Sequence, residues 1–160
     1  MAQQPPRYRM SDEARNILDT GLRNKWYGIC SADRVLDAPM AIRRWNRDLV
    51  LWRDTEGNVH LQDDRCPHRG APLSLARHDG DRLTCVYHGA EILGDGTVAS
   101  LPGEPGCDLV GQCAVETYPV EVYRGVIFAW LGDGIGTEVA PLALPERLTS
   151  DSYDAFLAYA

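Results

Sequence analysis

Cys66-Pro67-His68-Arg69-Gly70 and Cys85-Val86-Tyr87-His88-Gly89 are the stretches that decide how this chain reads. The pattern is C-x-H, a gap of 16 residues, then C-x-x-H. Each half supplies one soft thiolate and one imidazole. A glycine follows each histidine and allows the backbone to turn tightly around a bulky group.

Two kinds of centre use this donor set. A mononuclear zinc site could take the same four ligands, but structural zinc sites usually pair like spacings, C-x2–4-C with H-x3–5-H. Here Cys and His are mixed within each loop. In a Rieske [2Fe–2S] centre two cysteines hold one iron and two histidines hold the other, so each loop has to reach both irons. Cys66, His68, Cys85 and His88 are therefore the expected metal and cofactor ligands. No residue is assigned a catalytic role.

Outward from these loops, short strands and turns dominate. Residues 26–30, 40–45, 49–52 and 59–62 have β-type composition, with Thr55-Glu56-Gly57-Asn58 as a turn before the last of them. Residues 82–85 lead into the second ligand loop. Gly94-Asp95-Gly96 is a hairpin turn before residues 97–99, and residues 114–123 and 126–131 form a second hairpin about Arg124-Gly125. The pattern predicts an all-β domain. Upstream, residues 11–22 read as a helix, with Ser11 as N-cap, Asp12 and Glu13 in the first turn, and Ala14, Ile17, Leu18 and Leu22 on one face. Gly21 weakens its last turn. We divide the chain into a tail and helix (1–24), a metal-binding domain (25–131), and a linker (132–160) that ends in the first strand of a further domain, residues 153–160.

Composition bounds the function. The chain has 160 residues, 44% of them apolar, and a formal charge of −7. That charge argues against nucleic acid and against anionic membrane surfaces. No run of about twenty apolar residues could span a bilayer. Cys30, Cys107 and Cys113 are left over after the ligands, an odd number that suits reduced thiols in a cytoplasmic protein.

The run Cys-Pro-His-Arg-Gly-Ala-Pro-Leu at 66–73, followed by Cys85-Val86-Tyr87-His88-Gly89, resembles the Rieske domain of aromatic-ring-hydroxylating oxygenase α subunits. Leu22-Arg23-Asn24-Lys25-Trp26-Tyr27, Leu49-Val50-Leu51-Trp52-Arg53 and Gly125-Val126-Ile127-Phe128 extend the likeness over roughly residues 11–160. Many family members carry Trp after the second His-Gly; this chain has Ala90. The resemblance implies a Rieske-type antiparallel β domain of small stacked sheets. It implies that Cys66 and Cys85 bind the buried iron and His68 and His88 the outer one. It also implies electron transfer from a reductase or ferredoxin to a mononuclear Fe(II), usually in a neighbouring α subunit of a homotrimer, where O2 hydroxylates an aromatic substrate. His88 is then expected to face that neighbour's carboxylate.

That mononuclear site needs two His and one carboxylate. Only His60 and His78 remain, inside the β domain, so the chain is expected to relay electrons and not to hydroxylate. High-potential relatives resemble C-T-H-L-G-C and C-P-C-H-G-S-x-Y. Ala71 and Tyr87 stand where their extra disulfide would be, and Ala90 and Ile92 where hydroxyls would donate towards the cluster. Fewer donors predict a potential at the low end of the Rieske range of about −150 to +300 mV. Residues 101–106 read either as a third loop over the cluster or as an ordinary surface turn. Arg43, Arg44 and Arg47 could dock an acidic donor, although a solvated face is the simpler reading. The alternatives are a stand-alone low-potential Rieske ferredoxin and a zinc-binding interaction module.

Overall fold

The computed structural model describes residues 10–133 and 138–150. Strand β3 (Arg47–Arg53) is its organising element. Leu49, Val50, Leu51 and Trp52 are all fully buried, which a strand allows only when both faces are covered. Successive side chains point to opposite faces. Leu49 and Leu51 enter one core with Ile29, Leu61, Ile127 and Leu131. Val50 and Trp52 enter a second core with Leu73, Leu83, Ile92, Cys66 and Cys85. One strand is thus the shared wall between the scaffold and the metal-binding half.

Three antiparallel sheets surround it. β2 (Met40–Arg44), β3, β4 (Val59–Asp63) and β9 (Thr117–Tyr118) form the central sheet in that order. β1 (Lys25–Ser31), β11 (Val126–Leu131) and β10 (Val120–Tyr123) form the second. β5 (Arg77–His78), β6 (Arg82–Thr84), β7 (Glu91–Leu93) and β8 (Val98–Ser100) form the third; the Cys85 loop joins its β6 to β7, and the Cys66 loop lies between β4 and β5. This is the expected all-β architecture.

Several local expectations are refined. Residues 114–123 are two strands and not one. Pro119 has no N–H for a ladder, and there the chain leaves β4 to pair with β11. Trp45 is not a strand residue. With Asn46 it forms the β2–β3 turn at φ 53 and 57, and its ring packs against Tyr27 and Tyr118. The Arg124-Gly125 turn is where it was expected, at φ 47 and 76. His78 lies in the short strand β5.

Helix α1 spans Asp12–Thr20, and the Ser11 side chain accepts from the Ala14 N–H at 3.1 Å. Gly21 does not weaken a last turn. It ends the helix, at φ 75, with its N–H on the Ile17 carbonyl. The apolar stripe is present, yet Ile17, Leu18 and Leu22 are exposed. After Leu131 the chain returns to the scaffold, where the Trp26 indole donates to the Ala140 carbonyl at 2.7 Å. Within the expected linker a short helix α2 (Glu146–Thr149) follows Pro145, whose fixed φ suits a helix start. The expected strand at residues 153–160 lies outside the described residues.

Candidate metal centre

The two ligand loops are backbone twins. In the first, Gly70 N–H donates to the Cys66 carbonyl at 2.8 Å and Cys66 N–H to the Ala71 carbonyl at 2.8 Å. In the second, Gly89 N–H donates to the Cys85 carbonyl at 3.0 Å and Cys85 N–H to the Ala90 carbonyl at 2.8 Å. Gly70 and Gly89 close the loops at φ 73 and 74, a conformation that favours glycine. Each loop therefore offers the same five-residue frame. The histidine sits third in one and fourth in the other, which is why the spacings differ.

The frames bring all four sequence-predicted ligands together. Cys66 and Cys85 are buried, with their sulfurs within hydrogen-bonding reach. The His68 and His88 rings lie 4.8 Å apart between centroids, edge to face. Burial pushes the Cys66 thiol up from its ordinary value; the N–H groups of His68 and Arg69 pull it down and Cys85 adds to the rise. Loading a metal must then release protons from this site. His88 Nδ1 is buried and has no hydrogen-bond partner among the described residues. Buried ring nitrogens are normally satisfied, and a bare one on a ring facing His68 fits a metal ligand.

The donors also sort into pairs. Among the described residues no three His, Cys, Asp or Glu side chains converge tightly enough to hold one ion. A zinc ion needs three or four donors around one point, whereas each iron of a Rieske centre takes two from the protein. The Cys66–Cys85 and His68–His88 contacts match the two-by-two donor pairing of a Rieske centre.

A third loop covers the site. Gly103 N–H donates to the His88 carbonyl at 3.2 Å. A Cβ at Gly103 would lie 2.7 Å from that oxygen, so only glycine permits the approach. From the same loop Glu104 reaches His68, with Oε2 at 2.7 Å from Nε2. The Tyr87 ring packs on His88 at 3.9 Å. A cleft of about 710 Å³ runs beside the first loop, between Arg65, Arg69, Tyr87 and Glu116.

The remaining histidines are engaged in the scaffold. His60 Nε2 meets Asp54 Oδ2 at 2.8 Å, and its ring packs on Trp52. His78 contacts the carbonyls of Asp37 and Gly80. The three arginines considered for docking have partners within the chain. Arg43 pairs with Asp48, and Arg44 donates to the Ile29 carbonyl. Arg47 meets Glu116 and, at 2.6 Å, the Tyr118 hydroxyl, which donates to Asp63. Burial pushes Asp63 and Tyr118 up, and the Glu116 contact raises Arg47. Sequence reasoning missed this network because its members lie far apart in the chain. It also missed Gln62, fully buried, which accepts from the Trp52 indole at 3.1 Å and donates to the Leu93 carbonyl at 2.8 Å. Gln62 is the polar joint between the central sheet and the metal-binding sheet.

Asp54 gives a pH prediction. Burial alone would raise its carboxyl, but hydrogen bonds from Asn58 and His60 outweigh that and hold it at about 2, below the ordinary 3.8. A depressed carboxyl stabilises the fold above its unfolded pKa, and that stability is lost as pH falls through the folded one. Asp54→Asn should therefore lower the urea midpoint near neutral pH, with the gap to the parent closing as pH drops towards 2. A gap that stays constant from pH 7 to 2 would remove Asp54 from this role.

Residues 25–119 match the family described as Rieske [2Fe-2S] domain. The chain belongs to the Rieske [2Fe-2S] domain family. The Rieske domain so defined runs from β1 to the residue after β9 and contains all four candidate ligands and the third loop. The chain is 38% identical over 126 residues to the vanillate O-demethylase oxygenase subunit of Pseudomonas sp. (strain HR199 / DSM 7063), covering 79% of this chain and 34% of that one. It superimposes on the terminal oxygenase of carbazole 1,9a-dioxygenase from Novosphingobium sp. KA1 with a TM-score of 0.72 and 28% identity, covering 86% of this chain and 38% of that one. The reduced oxygenase–ferredoxin complex of carbazole 1,9a-dioxygenase gives 0.70 and 28%, covering 83% and 35%. The chain spans about a third of the length of the curated relatives it matches. Among the described residues no helix is long and apolar enough to cross a membrane.

Proposed function

We propose that this chain is the electron-transferring part of a Rieske non-haem iron oxygenase. The observation that carries the reading is the convergence of two buried cysteines and two facing histidines on twin loops. When bound, the [2Fe–2S] cluster supplies a one-electron couple. Cys66 and Cys85 hold the inner iron away from water. His68 and His88 hold the outer iron through one ring nitrogen each. The exposed Val86 and Tyr87 flank His88 and shape the surface where a donor or acceptor docks. The donor is a reductase or ferredoxin. The acceptor is a mononuclear Fe(II) site outside these 160 residues, in a neighbouring α subunit of a homotrimer, where O2 and an aromatic substrate meet. We place the tail and helix at 1–24, the Rieske domain at 25–131 and the linker with the start of the catalytic domain at 132–160. The setting is cytoplasmic.

Spectroscopy tests this directly. Dithionite-reduced protein should be coloured and give the EPR signal of a Rieske centre, while a zinc protein is silent in both. Ala71, Tyr87, Ala90 and Ile92 place no extra disulfide and no Ser or Tyr hydroxyl where high-potential Rieske proteins have them. The midpoint should fall at the low end of the Rieske range, and a value above about +100 mV would contradict the low-potential assignment.

A further inference from the structure

The two histidines are not equivalent. His68 is almost buried, 8% exposed in its side chain, and its Nε2 is held by Glu104 at 2.7 Å. His88 has an unpartnered Nδ1 among the described residues, and its ring packs on those of Tyr87 and His68. Glu104 is itself positioned. Its N–H donates to the Leu101 carbonyl at 3.1 Å, and the preceding Gly103 is pinned to the His88 carbonyl. The third loop thus grips the second ligand loop by its backbone and the first by a carboxylate.

We propose that Glu104 is a positioning residue that tunes the cluster through His68. Resting on the Rieske reading, the argument has three parts. A carboxylate accepts only, so Nε2 must carry the proton and Nδ1 is left as the lone pair for iron. A carboxylate on the far nitrogen raises the basicity of a ligating imidazole and fixes its ring. A negative charge beside the cluster favours the oxidised, more positive state over the reduced one. Glu104 therefore lowers the midpoint potential. It also occupies the outer edge of His68 from within the chain, leaving His88 as the imidazole whose edge is available to a partner.

The test uses the cluster-loaded protein and two substitutions. Glu104→Gln keeps the size and an acceptor oxygen but removes the charge; Glu104→Ala removes both. Glu104 is half exposed, so neither empties a core. Potentiometric titration followed by EPR should show the midpoint rising in Glu104→Gln and rising further in Glu104→Ala. Pulsed EPR should show altered coupling to one histidine nitrogen and not the other. Unchanged midpoints in both variants would overturn the proposal. So would loss of cluster in which the surviving fraction keeps the parent potential, because Glu104 would then be only a strut. A parent protein with no Rieske signal would instead overturn the underlying functional reading, so the two failures are distinguishable.

Discussion

Cys85→Ala should abolish the cluster completely, with loss of visible colour and of the EPR signal in the reduced protein. In the proposed arrangement the inner iron would take two protein thiolates, Cys66 and Cys85, one from each twin loop. Of the three other cysteines, Cys107 packs at the edge of the metal-binding core, so Cys85→Ala is also measured in a Cys107→Ala background, while Cys30 and Cys113 lie elsewhere. Cys30 is buried in the opposite core, and Cys113 is at the surface with its thiol on the Asp95 carbonyl. Cys113→Ala should therefore keep full cluster content and is the matched control. Because metal binding adds to folding free energy, Cys85→Ala should also melt at lower temperature than the loaded parent. The side-chain change alone costs little by comparison, since alanine leaves the Cys85 backbone bonds to Gly89 and Ala90 in place. Iron and sulfide analysis with EPR checks the outcome, and a Cys85→Ala protein retaining the parent signal would remove Cys85 from the ligand set.

Trp52→Ala should cost about 3–5 kcal/mol, the range for emptying a buried aromatic site. Trp52 is fully buried and stands on the side of β3 that faces the metal-binding half. Its ring packs on His60 at 4.4 Å, and its indole N–H satisfies Gln62. Truncation leaves a cavity and a buried amide oxygen without its donor, a further penalty of about 1–3 kcal/mol where no water enters. Domains of this size are stable by roughly 5–15 kcal/mol, so the variant should be largely unfolded at modest urea. Trp52→Phe separates the terms, because it keeps most of the ring packing and loses the indole donor. Urea unfolding followed by far-UV circular dichroism checks both; a loss below about 1 kcal/mol for Trp52→Ala would mean that the two cores are not joined here.

Much of the scaffold was legible because it follows local rules. The run Leu49-Val50-Leu51-Trp52 reads as a strand and was found buried on both faces. Ser11 reads as a helix cap and acts as one. Ile17, Leu18 and Leu22 read as part of one apolar face, and all three are exposed, because periodicity records what could pack and not whether a surface meets it. Residues 114–123 read as one strand, yet Pro119 sends the chain into a second sheet. The arginines at 43, 44 and 47 read as a solvated face, with docking of an acidic donor as the lesser option; what the sequence did not show is their partners, Asp48, a backbone carbonyl, Asp63 and Glu116.

What the sequence by itself determined is the class of centre, read from four candidate donors on two short loops. Soft thiolates and imidazoles mixed within two short glycine-closed loops are chemically restrictive, and that restriction acts over five residues. Only the tertiary structure decided which groups surround those donors. Glu104 meets His68 across 36 residues of chain, and Gln62 ties Trp52 to the carbonyl of Leu93. Such contacts depend on how separate sheets and loops approach one another, and no local pattern encodes that approach.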